Sequence, residues 1–388
     1  MRTRLLLPAA LWLLTLGLPV RPAAGGPTPG PGAAHPTPPA ARPAAGVRGT
    51  GITRHTVASG LDQPVTFAFT PKGRIFYGEK ATGEIRIVNP ATHSNRHFFT
   101  IPNVVGNGEQ GLLGLAVDPD YPAKPFLFAY ATRNAGGGEH DQILRMKNVD
   151  GHAEDVRVIF SSNTTAGQYH DGGRIEFGPD GFLYAVQGEA HDSSNAQDLT
   201  NAAGKILRMT RTGAAAPGNP FAAPRYARIW SYGHRNAFGF DFDPRTGRLW
   251  ESENGPACND EINRIVRGGN FGWGPNENCS SGSAPQNTNN SGPAPRIPPK
   301  RWYTPTIAPT GLVFCRRCGL GDASLGRMFF GAYNTGQIRR VTLTPDRLGI
   351  GSQTVVYTNA DGIYSMEAGP GGALYFSAGN GIFKLVRP

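Results

Sequence analysis

Residues 174–190 read RIEFGPDGFLYAVQGEA. Polar and apolar residues alternate in RIEF, the Gly-Pro-Asp-Gly that follows is a turn signal, and FLYAV is a second, mostly apolar run. Alternation with a period of two on either side of such a turn is typical of two antiparallel strands. The stretch therefore predicts a β-hairpin.

The same pattern occurs six times along the chain. One copy consists of an alternating strand, a turn, a second apolar strand and a third strand that ends in a basic or polar residue. Each unit is a small sheet that cannot bury both faces alone, whereas radial packing of such sheets closes a core and leaves only short edges. The copies are residues 66–90, 114–146, 174–213, 239–266, 311–343 and 365–388. We therefore predict an all-β fold, a six-bladed β-propeller.

The composition limits the possible partners. The chain has 388 residues, a net charge of +10, 53 Gly and 34 Pro. Gly and Pro recur at turns throughout, as many short strands require. Arg and Lys are scattered, without a basic run interleaved with aromatic residues, so we predict no nucleic-acid partner.

The N-terminus resembles an export signal. Arg2 and Arg4 precede a mostly apolar stretch, residues 5–20, and a small-residue cleavage site. A membrane anchor is the alternative, but the apolar run is short and contains two prolines. We expect residues 1–24 to be a signal peptide and the protein to be secreted, extracellular or cell-wall associated, with no membrane span.

Residues 25–46 are rich in Pro, Ala and Gly and have almost no large apolar side chain. Such a segment cannot bury enough surface to offset its ordering entropy, so we predict a disordered linker. The propeller domain then covers residues 47–388.

The four cysteines are even in number, which suggests disulfides in an exported chain. Pairing by position gives Cys258–Cys279 and Cys315–Cys318, each closing a loop. A redox-active C-x-x-C and a zinc site are the alternatives. No thioredoxin-like βαβ pattern surrounds the C-x-x-C, which favours a structural disulfide that closes a loop.

In a propeller, the segments that enter the inner strands surround one end of the central channel. Here these segments are residues 108–117, 169–177, 232–242, 304–314 and 361–369. His170 lies in the second of them, beside two glycines that leave the backbone room to turn. A histidine titrates near working pH and can serve as a general base.

Taken in order, these motifs resemble the soluble pyrroloquinoline-quinone (PQQ)-dependent aldose sugar dehydrogenases, the glucose/sorbosone dehydrogenase family. The resemblance covers residues 51–388. The motifs are GEQGLLGLAVDPDY, HDGGRIEFGPDGFLYAVQGE, AQDLTNAAGKILRM, SYGHRNAFGFDFDPRTGRLWESENGP, DEINRI, GGNFGWG and PTIAPTGLVF. No Gly-x-Ser-x-Gly elbow and no dinucleotide-binding glycine motif compete with it.

The resemblance implies a Ca²⁺/PQQ-dependent oxidoreductase that converts aldose sugars to lactones and passes electrons to an external acceptor. His170 is then the catalytic base, and Asp171 matches an acid that orients it. The residues expected at the cofactor are Glu109, Gln110, Arg235, Asn236, Thr306 and Tyr364. The residues expected at metal ions are Gly255 and Pro256, through their carbonyls, with Asp260 in support and Glu261 at a second, structural ion.

The chain also departs from the glucose-oxidising members. They carry Gln where this chain has Glu109, Lys where it has Asn334, and Arg where it has Gly362 and Tyr364. PQQ bears three carboxylates, and burying them without cations is costly. Two alternatives therefore stay open: a carbohydrate- or protein-binding propeller that has lost PQQ, and a metal-dependent lactonase-like hydrolase.

Overall fold

The structure, a computed structural model, describes residues 45–46, 50–275 and 292–387. In these ranges two 3-10 helices, Ser193–Gln197 and Asp322–Ser324, accompany the strands. In chain order the strands are β1 Ala45–Gly46, β2 Thr53–Ser59, β3 Pro64–Phe69, β4 Ile75–Glu79, β5 Glu84–Asn89, β6 Ser94–Thr100, β7 Leu112–Val117, β8 Phe126–Asn134, β9 Glu139–Val149, β10 His152–Ser161, β11 Ile175–Phe177, β12 Leu183–Gln187, β13 Lys205–Met209, β14 Ile229–Tyr232, β15 Ala237–Phe242, β16 Leu249–Glu253, β17 Asp260–Arg264, β18 Arg301–Tyr303, β19 Pro309–Phe314, β20 Met328–Ala332, β21 Gln337–Leu343, β22 Ile350–Thr358, β23 Ile363–Ala368, β24 Leu374–Ala378 and β25 Gly381–Val386.

Within the described residues the strands form six antiparallel sheets. Blades 1 to 5 consist of β3–β6, β7–β10, β11–β14, β15–β18 and β19–β22, and blade 6 consists of β23–β25 with β2. The inner strands are β3, β7, β11, β15, β19 and β23. The predicted six-bladed β-propeller is confirmed. The outermost strand of each blade was not part of the predicted repeat.

The ring is closed by a strand from the beginning of the domain. β2 pairs with β25, from Thr53 opposite Val386 to Ser59 opposite Gly381. The first and last described strands of the ring thus share one sheet, so blade 6 cannot form unless both ends of the domain are in place. β1 adds to the outer edge of blade 5 by pairing with β22.

The apolar core is divided among the contacts between blades. In the described part of the chain, six clusters of buried side chains lie at the six interfaces between neighbouring blades. The interface of blades 3 and 4, for example, packs Val186 and Ile206 against Phe240 and Leu249. Fully burying one such side chain stabilises the fold by about 1.5–3 kcal/mol. Each blade therefore depends on both neighbours.

Glycines allow the inner strands to approach one another. A Cβ on Gly311 in β19 would lie 2.1 Å from the backbone nitrogen of Met366 in β23. A Cβ on Gly239 in β15 would lie 2.1 Å from the carbonyl oxygen of Thr310 in β19. Only glycine fits at such distances, so the close approach of β15, β19 and β23 requires glycine at these two positions.

One charged pair crosses the channel, and a buried carboxylate joins two neighbouring inner strands. The guanidinium of Arg174, beside β11, lies 3.5 Å from the carboxylate of Glu367 in β23 on the opposite side. The carboxylate of Asp241 in β15 accepts a hydrogen bond from the backbone N–H of Phe314 in β19 (2.7 Å). Burial raises the pKa of Glu367 to about 7 and that of Asp241 to about 6. The Arg174–Glu367 pair joins blades that do not touch along their edges.

One of the two predicted disulfides lies within the described residues, whereas most of the predictions for the N-terminal segment do not. Cys315 and Cys318 form a disulfide, as predicted. The predicted partner of Cys258, Cys279, lies outside the described residues, as do the signal peptide and all of the predicted linker except β1. Among the described helices, none has the length and apolar character needed to cross a membrane.

A charge at Val57 in β2 tests the ring closure. Val57 is buried with Phe67 and Ile382 between blades 6 and 1. We expect Val57→Asp to lower the free energy of unfolding by about 3 kcal/mol, because an unpaired charge enters an apolar interface. Urea unfolding measures the change. The control Thr56→Asp, exposed on the same strand, should change little; equal losses in the two variants would contradict closure through β2.

Candidate active site

The loops before the inner strands meet at one end of the propeller. The carboxylate of Glu109, before β7, accepts hydrogen bonds from the backbone N–H of His170, before β11 (2.8 Å), and from the side-chain amide of Asn236, before β15 (2.9 Å). The carboxylate of Asp260 accepts the N–H of Ile307, before β19 (2.6 Å). The mouth is thus bonded loop to loop from blade 2 to blade 5.

His170 is buried at this mouth, with 4% of its surface exposed. Its backbone φ is 65°, a left-handed conformation that costs a non-glycine residue about 1 kcal/mol or more. Its carbonyl accepts the N–H of Ala190 (3.1 Å). A Cβ on Gly188 would lie 2.0 Å from that carbonyl oxygen, so the residue after β12 must be a glycine. The glycines around His170 therefore make room for its backbone.

Glu189, and not Asp171, orients the His170 imidazole. The carboxylate of Glu189 makes a short hydrogen bond with Nδ1 of His170. The backbone N–H of Glu189 donates to the carbonyl of Arg235 (2.8 Å), which ties the pair to blade 4. β12 is antiparallel to β11 and ends at the mouth. Glu189, just beyond the end of β12, therefore lies close to His170, which precedes β11. Glu189 was missed in the sequence because the partner was sought next to His170 along the chain.

The electrostatics of His170 suit a base. Burial lowers the pKa of the imidazole, and the positive charge of Arg235 lowers it further. The hydrogen bond and the charge of Glu189, and the charge of Glu109, act in the opposite direction. The balance is a lowered pKa, so the imidazole is neutral and can accept a proton at neutral pH.

Asp171 has a different environment from the one predicted. Its side chain is fully buried, and neither carboxylate oxygen has a hydrogen-bond partner among the described residues. Burial raises its pKa well above the usual range, and the nearby charges of Asp141 and Glu109 raise it further. The backbone of Asp171 is held by the hydroxyl of Tyr130, which donates to its carbonyl (2.9 Å).

Arg235, before β15, contacts the loop after β16 in its own blade. Its Nη1 donates to the carbonyl oxygens of Asn254 and Gly255, both at 2.9 Å. Its guanidinium lies 5.2 Å from the ring centre of Trp273, within cation–π range. Its backbone N–H makes a short hydrogen bond to Glu253. The Arg235 guanidinium thus bonds to the carbonyl of Gly255, one of the two carbonyls predicted to bind Ca²⁺.

A small cavity of about 10 Å³ lies at this point, large enough for a single ion or water molecule. Two acids, Glu253 and Glu261, and two amides, Asn254 and Asn259, are among the residues around it. Its lining residues are Arg235, Glu253, Asn254, Gly255, Pro256, Asn259, Glu261 and Trp273. Oxygen-rich linings of this kind suit hard divalent cations such as Ca²⁺.

The two acids predicted near metal ions have separate positions. Asp260 supports the loop: its carboxylate accepts the N–H groups of Gly255 (2.9 Å) and Ala308 (2.7 Å). Burial raises its pKa to about 6. Glu261 lines the cavity, and its carboxylate accepts the side-chain amide of Asn263 (3.0 Å). Burial and the neighbouring Glu253 raise the pKa of Glu261 well above its usual range.

Behind the cavity lies an acidic cluster that was not predicted from the sequence. His234, Glu251 and Glu253 bring possible ligand atoms within 4.8 Å of one another. His234 makes hydrogen bonds to Glu253 through Nδ1 (2.9 Å) and to Ser231 through Nε2 (2.8 Å). Burial raises the pKa of Glu251 well above its usual range. All three side chains of the cluster are buried, and Glu253 also lines the cavity.

The blade 5 and 6 side of the mouth is aromatic. The rings of Tyr333 and Tyr364 stack with centres 5.9 Å apart and planes 25° apart. A Cβ on Gly362 would lie 2.4 Å from the ring of Tyr333, so this glycine makes room for the pair. Burial raises the pKa of Tyr364 to about 12, which keeps its hydroxyl neutral. Asn334 follows Tyr333 and donates its backbone N–H to the carbonyl of Ile307 (3.1 Å).

Two other predicted cofactor residues are placed differently. Gln110 is buried and donates to Glu139 of its own blade (2.6 Å), so it braces the loop rather than facing the mouth. Thr306 is half-buried in the loop before β19, next to the mouth. Of the two, Thr306 is the one that the fold brings near Asp260 and the carbonyl loop.

The family follows from a direct match. The family model for glucose/sorbosone dehydrogenases matches residues 61–387. The chain belongs to the glucose/sorbosone dehydrogenase family. The expected resemblance is therefore confirmed over residues 61–387.

Within this family, two enzymes are similar in sequence. The chain is 30% identical over 250 residues to quinoprotein glucose dehydrogenase B of Acinetobacter calcoaceticus, covering 57% of this chain and 52% of that protein. It is 31% identical over 220 residues to aldose sugar dehydrogenase YliI of Escherichia coli, covering 55% of this chain and 59% of that protein. The matches thus span little more than half the length of these relatives. A shorter match, 32% over 175 residues, is to hedgehog-interacting protein of Mus musculus, covering 39% of this chain and 25% of that protein.

Solved structures of the family have the same fold. The PQQ-bound aldose sugar dehydrogenase of Streptomyces coelicolor superposes with a TM-score of 0.73 at 28% identity, covering 90% of this chain and 99% of that one. An oxidoreductase (glucose dehydrogenase) of Thermus thermophilus superposes with a TM-score of 0.75 at 31% identity, covering 86% and 100%. The chain has the propeller of PQQ-dependent sugar dehydrogenases.

Asp171→Asn tests the buried carboxyl. The folded protein keeps the proton of Asp171 to higher pH than the unfolded chain, whose Asp titrates near 3.9, so stability from this group is lost as pH rises. We expect the variant to be more stable than wild type by about 1 kcal/mol at pH 8 and equally stable near pH 4. Urea unfolding across pH measures this. The exposed control Asp62→Asn should show no such trend; a variant less stable at pH 8 than at pH 4, relative to wild type, would overturn the assignment.

Proposed function

We propose that this chain is a Ca²⁺- and PQQ-dependent dehydrogenase that oxidises the anomeric carbon of aldose sugars to a lactone, with His170 as the base. The observation that carries the proposal is the buried His170–Glu189 pair, which lies in the same mouth as Arg235 and the carbonyl loop. A neutral base, a fixed positive charge and an oxygen-lined cavity are the groups that such an oxidation requires.

The mouth fits a divalent cation. The Arg235 guanidinium already rests on the carbonyls of Asn254 and Gly255, so the loop presents oxygens to positive charge. The carboxylates of Glu253 and Glu261 line the same cavity. Gly255 and Pro256 would hold Ca²⁺ through their carbonyls, and the ion would polarise a bound carbonyl group. Asp260 keeps the loop in shape.

The mouth also offers groups for a flat, oxygen-rich cofactor. Arg235 and Asn236 would hold the quinone oxygens through N–H groups, because Nδ2 of Asn236 carries a second proton besides the one that it donates to Glu109. Thr306 and Tyr364 would also contact the cofactor. When bound, PQQ supplies the hydride acceptor. The aromatic pair at Tyr333 and Tyr364 occupies a region where the glucose-oxidising members carry cations, so Ca²⁺ and Arg235 would balance most of the cofactor charge.

His170 then performs the proton transfer. The Glu189 carboxylate accepts a hydrogen bond from Nδ1–H, which leaves the lone pair on Nε2 to take the proton of the anomeric hydroxyl. As that O–H bond breaks, the C1–H bond gives up a hydride and the C1–O bond becomes the lactone carbonyl. Burial keeps water away from the imidazole and keeps it neutral before the transfer.

A second function is favoured by one observation. The stacked Tyr333 and Tyr364 form a partly exposed aromatic surface at the mouth, and one relative is named as a hedgehog-interacting protein. A propeller that binds a carbohydrate or a protein without catalysis would use such a surface. The hydrolase alternative has less support, because Glu251 of the metal-ligand cluster is fully buried and the matching family model is that of the glucose/sorbosone dehydrogenases.

We also propose that the protein is exported by its N-terminal segment and that an external acceptor reoxidises the cofactor. The motivation is the basic and apolar pattern of residues 1–24. N-terminal sequencing of the protein from the culture medium of an expressing cell would test export. An intact N-terminus on cell-retained protein would contradict it.

Reconstitution tests the enzyme. Purified protein with PQQ and Ca²⁺ should reduce a dye with aldoses, and chelation of Ca²⁺ should abolish the rate. His170→Ala should lower kcat by about 10³-fold, a typical loss for a general base. The control His55→Ala, exposed on β2, should keep the wild-type rate. No PQQ binding at high PQQ with Ca²⁺ would reject the enzyme and favour the binding propeller.

A further inference from the structure

Glu109 is the residue that joins three loops of the mouth. One oxygen of its carboxylate, Oε2, accepts both the His170 N–H (2.8 Å) and the Asn236 amide (2.9 Å). Its own backbone N–H donates to the carbonyl of Gln168 (3.0 Å). The loops of blades 2, 3 and 4 therefore meet at this one carboxylate.

The bond to His170 counters a local strain. His170 has a positive φ, and such a conformation persists only where the surroundings determine it. The carbonyl of His170 is held by Ala190 and its ring by Glu189. Glu109 holds the remaining group, the backbone N–H, through a charge-assisted hydrogen bond, which is stronger than a neutral one.

The negative charge of Glu109 also acts on the imidazole of His170. The charged and titratable groups around His170 are Glu189, Glu109, Arg235, the ring of His191 at 5.0 Å, and the adjoining Asp171. The ammonium of Lys80 in turn faces Glu109 and Asp171. Glu109 is half-buried at the mouth, where its charge is screened less than at an open surface. A glutamine of the same shape would keep an acceptor oxygen and lose the charge.

We propose that Glu109 is a positioning residue for the reaction: its carboxylate fixes the backbone of His170 against blade 4 and supplies a negative charge that keeps the base effective. Glu109 acts through His170 and takes no proton from the sugar. The inference rests on the proposed role of His170 as the base.

The test compares two changes at one position. Glu109→Gln keeps the reach and removes the charge, whereas Glu109→Asp keeps the charge and shortens the reach. Histidine NMR titration of the protein without sugar or PQQ reports the pKa of His170, with His170→Gln to identify its signal. The matched control is Glu79→Gln, a partly buried acid at the end of β4 that hydrogen-bonds Thr82.

We expect the pKa of His170 to fall in Glu109→Gln, because the charge that raises it is gone, and to stay near wild type in Glu109→Asp and Glu79→Gln. In the reconstituted enzyme, the acidic limb of kcat/KM against pH should move to lower pH in Glu109→Gln. Its plateau should fall about tenfold, since a weaker and less fixed base accepts the proton.

An unchanged His170 titration in Glu109→Gln would overturn the inference, as would an equal shift in Glu79→Gln. The titration separates this inference from the proposed function. If no sugar is oxidised by any variant and the His170 pKa still falls in Glu109→Gln, the dehydrogenase fails while the coupling of Glu109 to His170 stands.

Discussion

A propeller blade has two faces and can cover neither of them alone. In this protein each interface between neighbouring blades contains its own apolar cluster, and the pairing of β2 with β25 closes the last one. This closure fixes the distances between loops that are far apart in sequence. Glu109 lies 61 residues before His170 and 127 residues before Asn236, and its one carboxylate bonds to both. The arrangement of the residues at the mouth therefore depends on the closed ring of blades.

The repeat also explains the pairing of His170 with Glu189. His170 and Glu189 are 19 residues apart, and His234 and Glu253 in the next blade are also 19 residues apart. In both blades the His precedes the inner strand and the Glu lies at or just past the end of the second strand. In blade 4 the His ring is also bonded to Ser231 and fully buried, which suits a structural role. In blade 3 the same arrangement opens on the mouth, where it can accept a proton.

The sequence predicted the propeller because its turns carry their own signals. The Gly/Asp-Pro turns and the alternating strands depend on residues that are close in the sequence. They can therefore be predicted without knowing the fold. The outer strands were missed, since β10 is largely exposed and polar and β18 has only three residues. Neither has the apolar alternation on which the prediction depended.

The site was predicted in part. His170, Arg235, Asn236 and Glu109 were named from their motifs, and the fold brings them together. Glu189 was missed because the contact follows from antiparallel pairing, although the repeated spacing of 19 was visible in the sequence. The unpartnered carboxyl of Asp171 and the inward turn of Gln110 depend on side-chain packing, which the motif pattern does not report.

The central claim is that a bound quinone takes a hydride from an aldose while His170 takes the proton. Anaerobic single-turnover mixing of the PQQ- and Ca²⁺-loaded protein with an aldose, unlabelled or deuterated at C1, tests it most directly. The account predicts loss of the oxidised quinone absorbance, more slowly with the deuterated sugar. A quinone that stays oxidised with every aldose, or is reduced at the same rate with both sugars when chemistry limits the turnover, would contradict it.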